Sequence, residues 1–389
     1  MINRKVGEIT EADLVALITD SVCEGRTLDY KEQLNISRDE DKKEFLADLS
    51  SFSNASGGDL VIGVRESEGL PKELLGFTVS DTDAEQLRVE QLIRDGIQPR
   101  VVGVEFQWVN LSNSKKVFVI RAPRSWNSPH RVTYKGHDKF YCRSSAGKYP
   151  LDVTELRTAF NRSASIADQI KRFRMDRISA VIAGETPLPF VTTSKIVIHL
   201  IPFASFEAGH SMDLKKIYRR KPSPIAAAGW DARYNFDGVL SYSAASAMCS
   251  TYTQYFRNAI IEGVDGRTLN PTSTAGGNSS ATIPSSDMEG KVEKFVSTQL
   301  DILKDAGIST PICVFVTLIG VSGYRMAYGD QSGQSRVTDA SYAISRDVLM
   351  MPEIIVDDYT VDLGRELRAV FDAVWNACGL EGPPGRAKN

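Results

Sequence analysis

The sequence has little cysteine, little histidine and no long apolar run. Its 389 residues include five cysteines, scattered without a CxxC pair, and four histidines. This usage argues against a disulfide framework, and no cysteine lies at zinc-ligand spacing from a histidine. No segment reaches the roughly 18 apolar residues that a membrane span needs, and the N-terminus lacks the apolar run of a signal peptide. We therefore expect a cytoplasmic protein with no membrane partner.

An excess of charge of one sign is also absent from the whole chain. With 46 basic and 49 acidic residues, the net charge of −3 excludes a protein that binds nucleic acid through its overall charge. Locally, however, nine basic residues and one acid, Asp138, lie between Lys115 and Lys148, whereas residues 225–389 hold 13 basic and 19 acidic residues. Because phosphate groups respond to local potential, the basic stretch predicts nucleic-acid contact, and the alternative is a solvated face.

Hydrophobic patterning predicts an α+β protein. The predicted helices span 9–22, 42–54 and 84–98, and the predicted strands span 27–34, 59–64, 101–109, 117–122, 131–135 and 139–143. We expect a first domain over 1–160, a basic helical connector over 161–190 and a C-terminal α/β domain of unassigned role over 191–389.

The C-terminal region carries fewer functional signals. Its predicted elements are strands near 195–201, 236–242 and 312–318, helices near 288–306 and 363–378, and a polar loop over 272–286. A second basic cluster comprises Lys215, Lys216, Arg219, Arg220 and Lys221. Its last three residues would extend a path for nucleic acid. The aromatic residues of Tyr252–Phe256 have the spacing of a helix face, which indicates either core packing or a platform for base stacking.

Three acids and a lysine form the constellation with the most chemistry. On a strand, Asp29 and Lys31 point to the same face. Glu24 precedes that strand and Glu66 follows the strand over 59–64, so the three carboxylates would converge if the two strands are neighbours. Carboxylates that hold Mg²⁺ or Mn²⁺ beside a lysine suit metal-assisted phosphodiester cleavage. The alternative is a set of exposed charges at strand ends.

The same residues belong to a longer pattern. Glu24-x4-Asp29-Tyr-Lys31 is followed by a helix ending in Asn54-Ala-Ser-Gly57-Gly58 and by Leu60-Val-Ile-Gly63-Val64. Pro99, the turn Asn127-Ser-Pro129-His130 and the segment Phe140-Tyr-x-Arg143 come later. Over roughly residues 8–160, this arrangement resembles the AlbA-like domain of the Schlafen family.

The resemblance implies catalytic roles for Glu24, Asp29, Lys31 and Glu66, with Mg²⁺ or Mn²⁺ held by the three acids. The family usually has Glu at the position of Asp29 and Asp at that of Glu66, and a flexible metal site tolerates a difference of one methylene. Eight basic side chains would contact phosphates: Lys115, Lys116, Arg124, Arg131, Lys135, Lys139, Arg143 and Lys148.

The leading hypothesis is a metal-dependent endonuclease that acts on tRNA-like RNA or single-stranded DNA, with a role in anti-phage defence. The alternatives are a non-catalytic module that binds DNA or RNA, and a nucleotide-binding subunit of a defence complex. The resemblance also suggests a homodimer or a partner defence protein.

Six further residues have two interpretations each. Gly57-Gly58 is either a helix cap or a point of close approach to a phosphate backbone, and Asn54 is either a cap or a polar contact. His130 and His137 are expected at the surface rather than as general bases. Cys23 is expected to be buried rather than nucleophilic.

Overall fold

The computed structural model describes residues 1–190, 192–206, 211–245, 248–269, 281–329 and 335–383. The chain divides into two compact units, Met1–Ser165 and Ile166–Asn389. The division falls within the long helix α4, Val153–Ala183, which includes the first part of the predicted connector. No helix in the described ranges is long and apolar enough to cross a membrane.

The N-terminal unit interleaves three helices with ten strands before α4. They are α1 Glu11–Thr19, β1 Leu28–Lys31, α2 Asp39–Asn54, β2 Gly58–Ile62, β3 Val64–Ser67, β4 Leu70–Leu74, α3 Thr82–Gly96, β5 Ile97–Gln98, β6 Glu105–Asn110, β7 Lys116–Ala122, β8 Arg131–Val132, β9 Lys139–Ser144 and β10 Gly147–Pro150.

These strands form two four-stranded sheets and a hairpin. The first sheet has the order β1-β2-β7-β6 and the second β10-β9-β8-β5, while β3 pairs with β4. Strands β1 and β2 are parallel neighbours, with Asp29 opposite Leu60. This confirms that the segments carrying the predicted acids are adjacent, although β2 ends at Ile62 and Gly63 separates it from β3.

The alternation of side chains along β2 and β7 gives the first sheet a core on each face. One face packs against α2, whose buried residues include Phe45, Leu49 and Phe52. The other face packs with α1, through residues such as Leu14 and Val61. Helix α2 also contacts β8, β9 and β10. It therefore stands between the two sheets and can carry a polar side chain to the place where they meet.

The C-terminal unit is built around an eight-stranded sheet. Seven strands follow the order β12-β13-β14-β15-β11-β17-β20, all antiparallel, and β21 also pairs with β17; β16, β18 and β19 form a separate small sheet. The elements are β11 Lys195–Pro202, α5 Leu214–Arg220, β12 Asp231–Tyr234, β13 Gly238–Ala245, β14 Met248–Phe256, β15 Ile261–Asp265, β16 Thr282–Pro284, α6 Ser285–Asp305, β17 Ile312–Ile319, β18 Arg325–Gly329, β19 Ser335–Val337, β20 Val348–Met350, β21 Ile354–Val356, α7 Leu363–Glu366 and α8 Arg368–Ala377.

Two sequence predictions for this unit are corrected. The aromatic residues near Tyr252 lie on strand β14 rather than on a helix, and Tyr252 and Tyr255 are buried, as the core-packing interpretation expects. The predicted loop over 272–286 falls partly outside the described residues, and its last part forms β16 and the start of α6. Aromatic residues favour strands as well as buried helix faces, so the spacing alone misled.

Candidate functional site

The predicted acids of β1 lie at a polar pocket of about 430 Å³ in the N-terminal unit. Asp29 and Lys31 project from the same face of β1, as their spacing predicts, and Lys31 Nζ lies 2.8 Å from Asp29 Oδ2. Glu24 also lines the pocket, and so do two basic residues of the second sheet, Arg143 and Lys148. The structure thus brings Glu24, Asp29 and Lys31 together.

The strongest pairing at the pocket joins Asp29 to Arg143. The Arg143 guanidinium donates a hydrogen bond to Asp29 Oδ1, and its Nε donates to the carbonyl of Gly25 at 3.1 Å. The guanidinium also lies 4.3 Å from the ring centroid of Phe52 on α2. Only 2% of the Arg143 side chain and 6% of the Asp29 side chain are exposed. A buried ion pair therefore connects the two sheets of the unit.

A second buried carboxylate, Asp48, was not predicted. It projects from α2, with Oδ1 2.9 Å from Lys148 Nζ and Oδ2 3.5 Å from Lys31 Nζ. Burial raises the pKa of Asp48, and the nearby charge of Asp29 raises it further. The signal was present in the sequence, because Asp48 lies three residues after Phe45, on the apolar face of a predicted helix.

The lysine between these acids is held in its charged form. Burial lowers the pKa of Lys31, but the carboxylates of Asp48 and Asp29 outweigh that effect, so its pKa lies above the ordinary value. Lys31 is therefore a fixed positive charge at the pocket, which can neutralise an anion and does not serve as a proton acceptor near neutral pH.

The other two predicted acids are held by backbone groups. Glu24 Oε1 accepts a hydrogen bond from the amide of Tyr30 at 2.7 Å, and burial raises the pKa of Glu24. Glu66, on β3, accepts the amide of Gly69 at 2.8 Å and does not line the pocket. Its charge still raises the pKa of Glu24, so Glu66 lies beside the pocket rather than in it.

The predicted metal ligands do not fit a metal ion in this arrangement. In the described part of the chain, no group of three His, Cys, Asp or Glu side chains is placed to hold one. The Asp29 carboxylate is paired with Arg143 and Lys31, and those of Glu24 and Glu66 accept backbone amides. A requirement for Mg²⁺ or Mn²⁺ stays a prediction.

The eight predicted phosphate contacts fall into three groups. Lys115, Lys116 and Lys139 are at least partly exposed and form no ion pair with any residue that the structure describes. Two others reach solvent while paired to acids: Arg131 lies 3.0 Å from Asp138, and Lys135 lies 2.7 Å from Asp39. The remaining three, Arg124, Arg143 and Lys148, are half-buried or buried.

Arg124 differs from the other basic residues in its surroundings. Its guanidinium lies 5.0 Å from the ring centroid of Trp126. Burial lowers the pKa of Arg124, and the nearby charge of Arg26 lowers it further. Arg162 in turn has its pKa lowered by burial and by Arg124. Three arginines therefore share one region of positive potential in this unit.

The turn after α2 leaves no space for a side chain at Gly57. Gly57 has φ +73°, and its amide donates to the carbonyl of Phe52 at 2.9 Å, which is the cap interpretation. A Cβ on Gly57 would lie 2.7 Å from the backbone nitrogen of Arg124. The close approach at this turn is therefore to the protein's own backbone.

Three smaller predictions are settled by contacts. Asn54 makes polar contacts: it donates to the carbonyls of His130 and Tyr141 at 2.9 and 2.8 Å and accepts the amide of His130. His130 is buried rather than at the surface, and burial lowers its pKa. Cys23 is exposed at the pocket rim instead of being buried. In both cases neighbouring residues in sequence did not reveal the tertiary position.

Comparisons with known proteins assign the first part of the chain. The sequence model of the family described as Schlafen, AlbA_2 matches residues 24–152. Among solved structures, the DIP2311 protein from Corynebacterium diphtheriae is 19% identical over 36% of this chain and 26% of that chain, with a TM-score of 0.25. The N-terminal domain of a RecG-related protein from Nitrosomonas europaea is 18% identical over 34% of this chain and 84% of that chain, with a TM-score of 0.26.

The other comparisons give no information about activity. No curated protein sequence matches the chain, and the chain spans about a quarter of the DIP2311 protein. At these identities and TM-scores, neither solved structure supports an argument about activity. The pocket residues Glu24, Asp29, Lys31, Arg143 and Lys148 all lie inside the matched segment. Residues 24–152 match the Schlafen, AlbA_2 family model, which agrees with the resemblance seen in the sequence.

Proposed function

We propose that the N-terminal unit binds nucleic acid, RNA or DNA, through its phosphate groups. The observation that carries the proposal is the state of Lys115, Lys116 and Lys139, which reach solvent and have no carboxylate at ion-pair distance among the described residues. Ammonium groups without internal partners are available to replace the counterions of a phosphate backbone. The domain family is consistent with this partner.

The proposal predicts a measurable dependence on salt. Each lysine that contacts a phosphate contributes about one unit to the slope of log K against log salt concentration. Binding of fluorescein-labelled 20-nucleotide RNA and DNA, followed by fluorescence anisotropy, measures that slope. We expect the Lys115→Ala/Lys139→Ala variant to bind more weakly, with a slope smaller by about two.

Lys5 and Lys72 provide a matched control, because both are exposed lysines of the same unit outside the basic stretch. The Lys5→Ala/Lys72→Ala variant removes the same charge and should leave affinity and slope close to those of the wild type. Equal losses in the two double variants would mean that only net charge matters. Absence of binding to either oligonucleotide at low salt would refute the proposal.

A second candidate is the metal-dependent endonuclease. The observation that favours it is the joint position of Glu24, Asp29 and Lys31 at one pocket, lined by five carboxylates and three basic groups. A divalent cation would offset the excess of negative charge, but Asp29 would first have to leave its pairing with Arg143. Roles in anti-phage defence, a homodimer and nucleotide binding are proposals that only the resemblance supports.

Cleavage is tested with tRNA and single-stranded DNA, with and without Mn²⁺. We use Glu24→Gln because Glu24 is half-exposed, whereas a change at buried Asp29 disturbs the fold. If the chain is a nuclease, cleavage requires the metal and Glu24→Gln abolishes it while binding persists. Cleavage that is absent, or unchanged in the variant, leaves the binding function and removes this candidate.

A further inference from the structure

The edge of the large sheet in the C-terminal unit presents three exposed aromatic side chains. Trp230, Tyr234 and Phe236 are 43%, 49% and 93% exposed. Strand β12 is the edge strand of that sheet and pairs with β13. Exposed aromatic side chains that are grouped at one edge, rather than scattered singly, are typical of a contact site.

The first two aromatic residues lie on the same side of the sheet edge. Tyr234 stacks on Tyr218 of α5, with ring centroids 4.6 Å apart. Trp230 Nε1 donates to the carbonyl of Lys221, the residue that caps α5, at 2.8 Å. Both rings are therefore fixed against one helix. Phe236 follows two residues after Tyr234, and its carbonyl accepts a hydrogen bond from Arg257 Nε at 3.0 Å.

Basic residues are concentrated on α5, the helix that the rings of Trp230 and Tyr234 contact. Residues 211–236 contain six basic and two acidic residues, in a C-terminal region that is otherwise acidic. Arg220 and Lys221 pair with Asp305 and Asp231 at 2.8 and 3.0 Å. By contrast, Lys215 and Arg219 are exposed and make no ion pair with a described residue. The local positive charge complements a polyanion such as nucleic acid.

We propose that this edge of the C-terminal unit is a binding surface for single-stranded nucleic acid. Trp230, Tyr234 and Phe236 serve as stacking platforms for bases. Lys215, Arg219 and Arg257 contact the phosphates. Exposed aromatic faces near cations suit single strands, because unpaired bases offer their own faces for stacking. In a duplex, neighbouring base pairs cover those faces. The surface therefore selects single strands over duplex.

This surface is independent of the phosphate contacts proposed in the N-terminal unit, and the experiment separates them. The full chain is titrated into fluorescein-labelled dT20 and into the dT20·dA20 duplex. We expect Phe236→Ala to weaken dT20 binding about fivefold or more, which is the effect of losing one stacked base. Duplex binding should change less than twofold, and Phe236→Trp should restore dT20 binding.

Two controls make the result specific. Met350→Ala removes a large apolar side chain that is 49% exposed on β20 and should leave dT20 binding unchanged. The Lys115→Ala/Lys139→Ala variant reports the N-terminal contacts, and it should weaken dT20 and duplex alike. Circular dichroism melts confirm that each variant folds.

Three results would overturn the inference. One is unchanged dT20 affinity in a folded Trp230→Ala/Phe236→Ala variant. Another is an equal loss of affinity for dT20 and duplex. The third is a dimer of the wild type, seen by analytical ultracentrifugation, that is absent in this variant while dT20 binding is unchanged. That result would assign the edge strand to a second copy of the chain.

Discussion

Arg143 and Asp29 are 114 residues apart in sequence and form a buried ion pair between β9 and β1. Each belongs to a different sheet of the N-terminal unit, and the pair lies against Phe52 of the helix between the sheets. Its position explains two features at once. It fixes the distance between the sheets, and it removes Arg143 from the set of accessible phosphate contacts.

Breaking this pair should destabilise the protein strongly. Arg143→Met leaves the Asp29 carboxylate buried with one remaining cation, Lys31, which should lower the free energy of unfolding by about 3–5 kcal/mol. Lys139→Met, on the same strand but exposed, should change it by less than about 0.5 kcal/mol. Urea denaturation measures both. A loss in Arg143→Met no larger than in Lys139→Met would show that the pair contributes little.

Two glycines, one of them in the turn after α2, distinguish the cost of a left-handed backbone from the cost of a side chain that has no space. Gly57 and Gly136 have nearly equal φ values, +73° and +74°. A Cβ meets backbone atoms at Gly57 and nothing within 4 Å at Gly136. Gly136→Ala should therefore cost about 1–2 kcal/mol from φ alone, and Gly57→Ala should cost measurably more. Similar melting temperatures for the two variants would contradict this account of the turn.

In the C-terminal unit, buried Glu262 predicts a dependence of stability on pH. It accepts hydrogen bonds from Arg177, His199 and Tyr252. Burial raises its pKa, but the Arg177 guanidinium and His199 outweigh burial and lower the pKa from 4.5 to about 2. Because the folded pKa is depressed, the stabilisation is present above pH 4.5 and is lost as the pH falls toward 2.

The size of this effect is about 3 kcal/mol, since each pKa unit corresponds to about 1.4 kcal/mol. Glu262→Gln has no such titration. Thermal melts at pH 6, 4.5 and 3.5 should show the largest difference between wild type and variant at pH 6, and a smaller one at each lower pH. A constant difference across this range would mean that Glu262 does not titrate as its contacts imply.

The sequence predicted local features better than long-range partners. The strands within 27–34 and 59–64 and the helix over 42–54 follow from periodicity, and the structure bears them out. The burial of Arg143 depends on a carboxylate 114 residues away. Asp48 is an acid on an apolar helix face, and only the tertiary fold supplies its cations.

The same distinction applies to the basic stretch. Nine basic residues against one acid indicated a phosphate surface, but the fold pairs several of them with acids from outside the stretch, such as Asp39 and Asp48. Charge counting cannot distinguish a lysine in an internal ion pair from one available to a ligand. Contacts between distant segments decide that question.

The central claim is that the N-terminal unit binds nucleic acid through phosphate contacts. The most direct measurement is the affinity for a labelled oligonucleotide between about 50 and 200 mM salt, for the wild type, Lys115→Ala/Lys139→Ala and Lys5→Ala/Lys72→Ala. We predict that log K falls linearly with log salt, and that the first double variant alone reduces the slope, by about two. A slope near zero for the wild type, or the same slope in all three proteins, would contradict the claim.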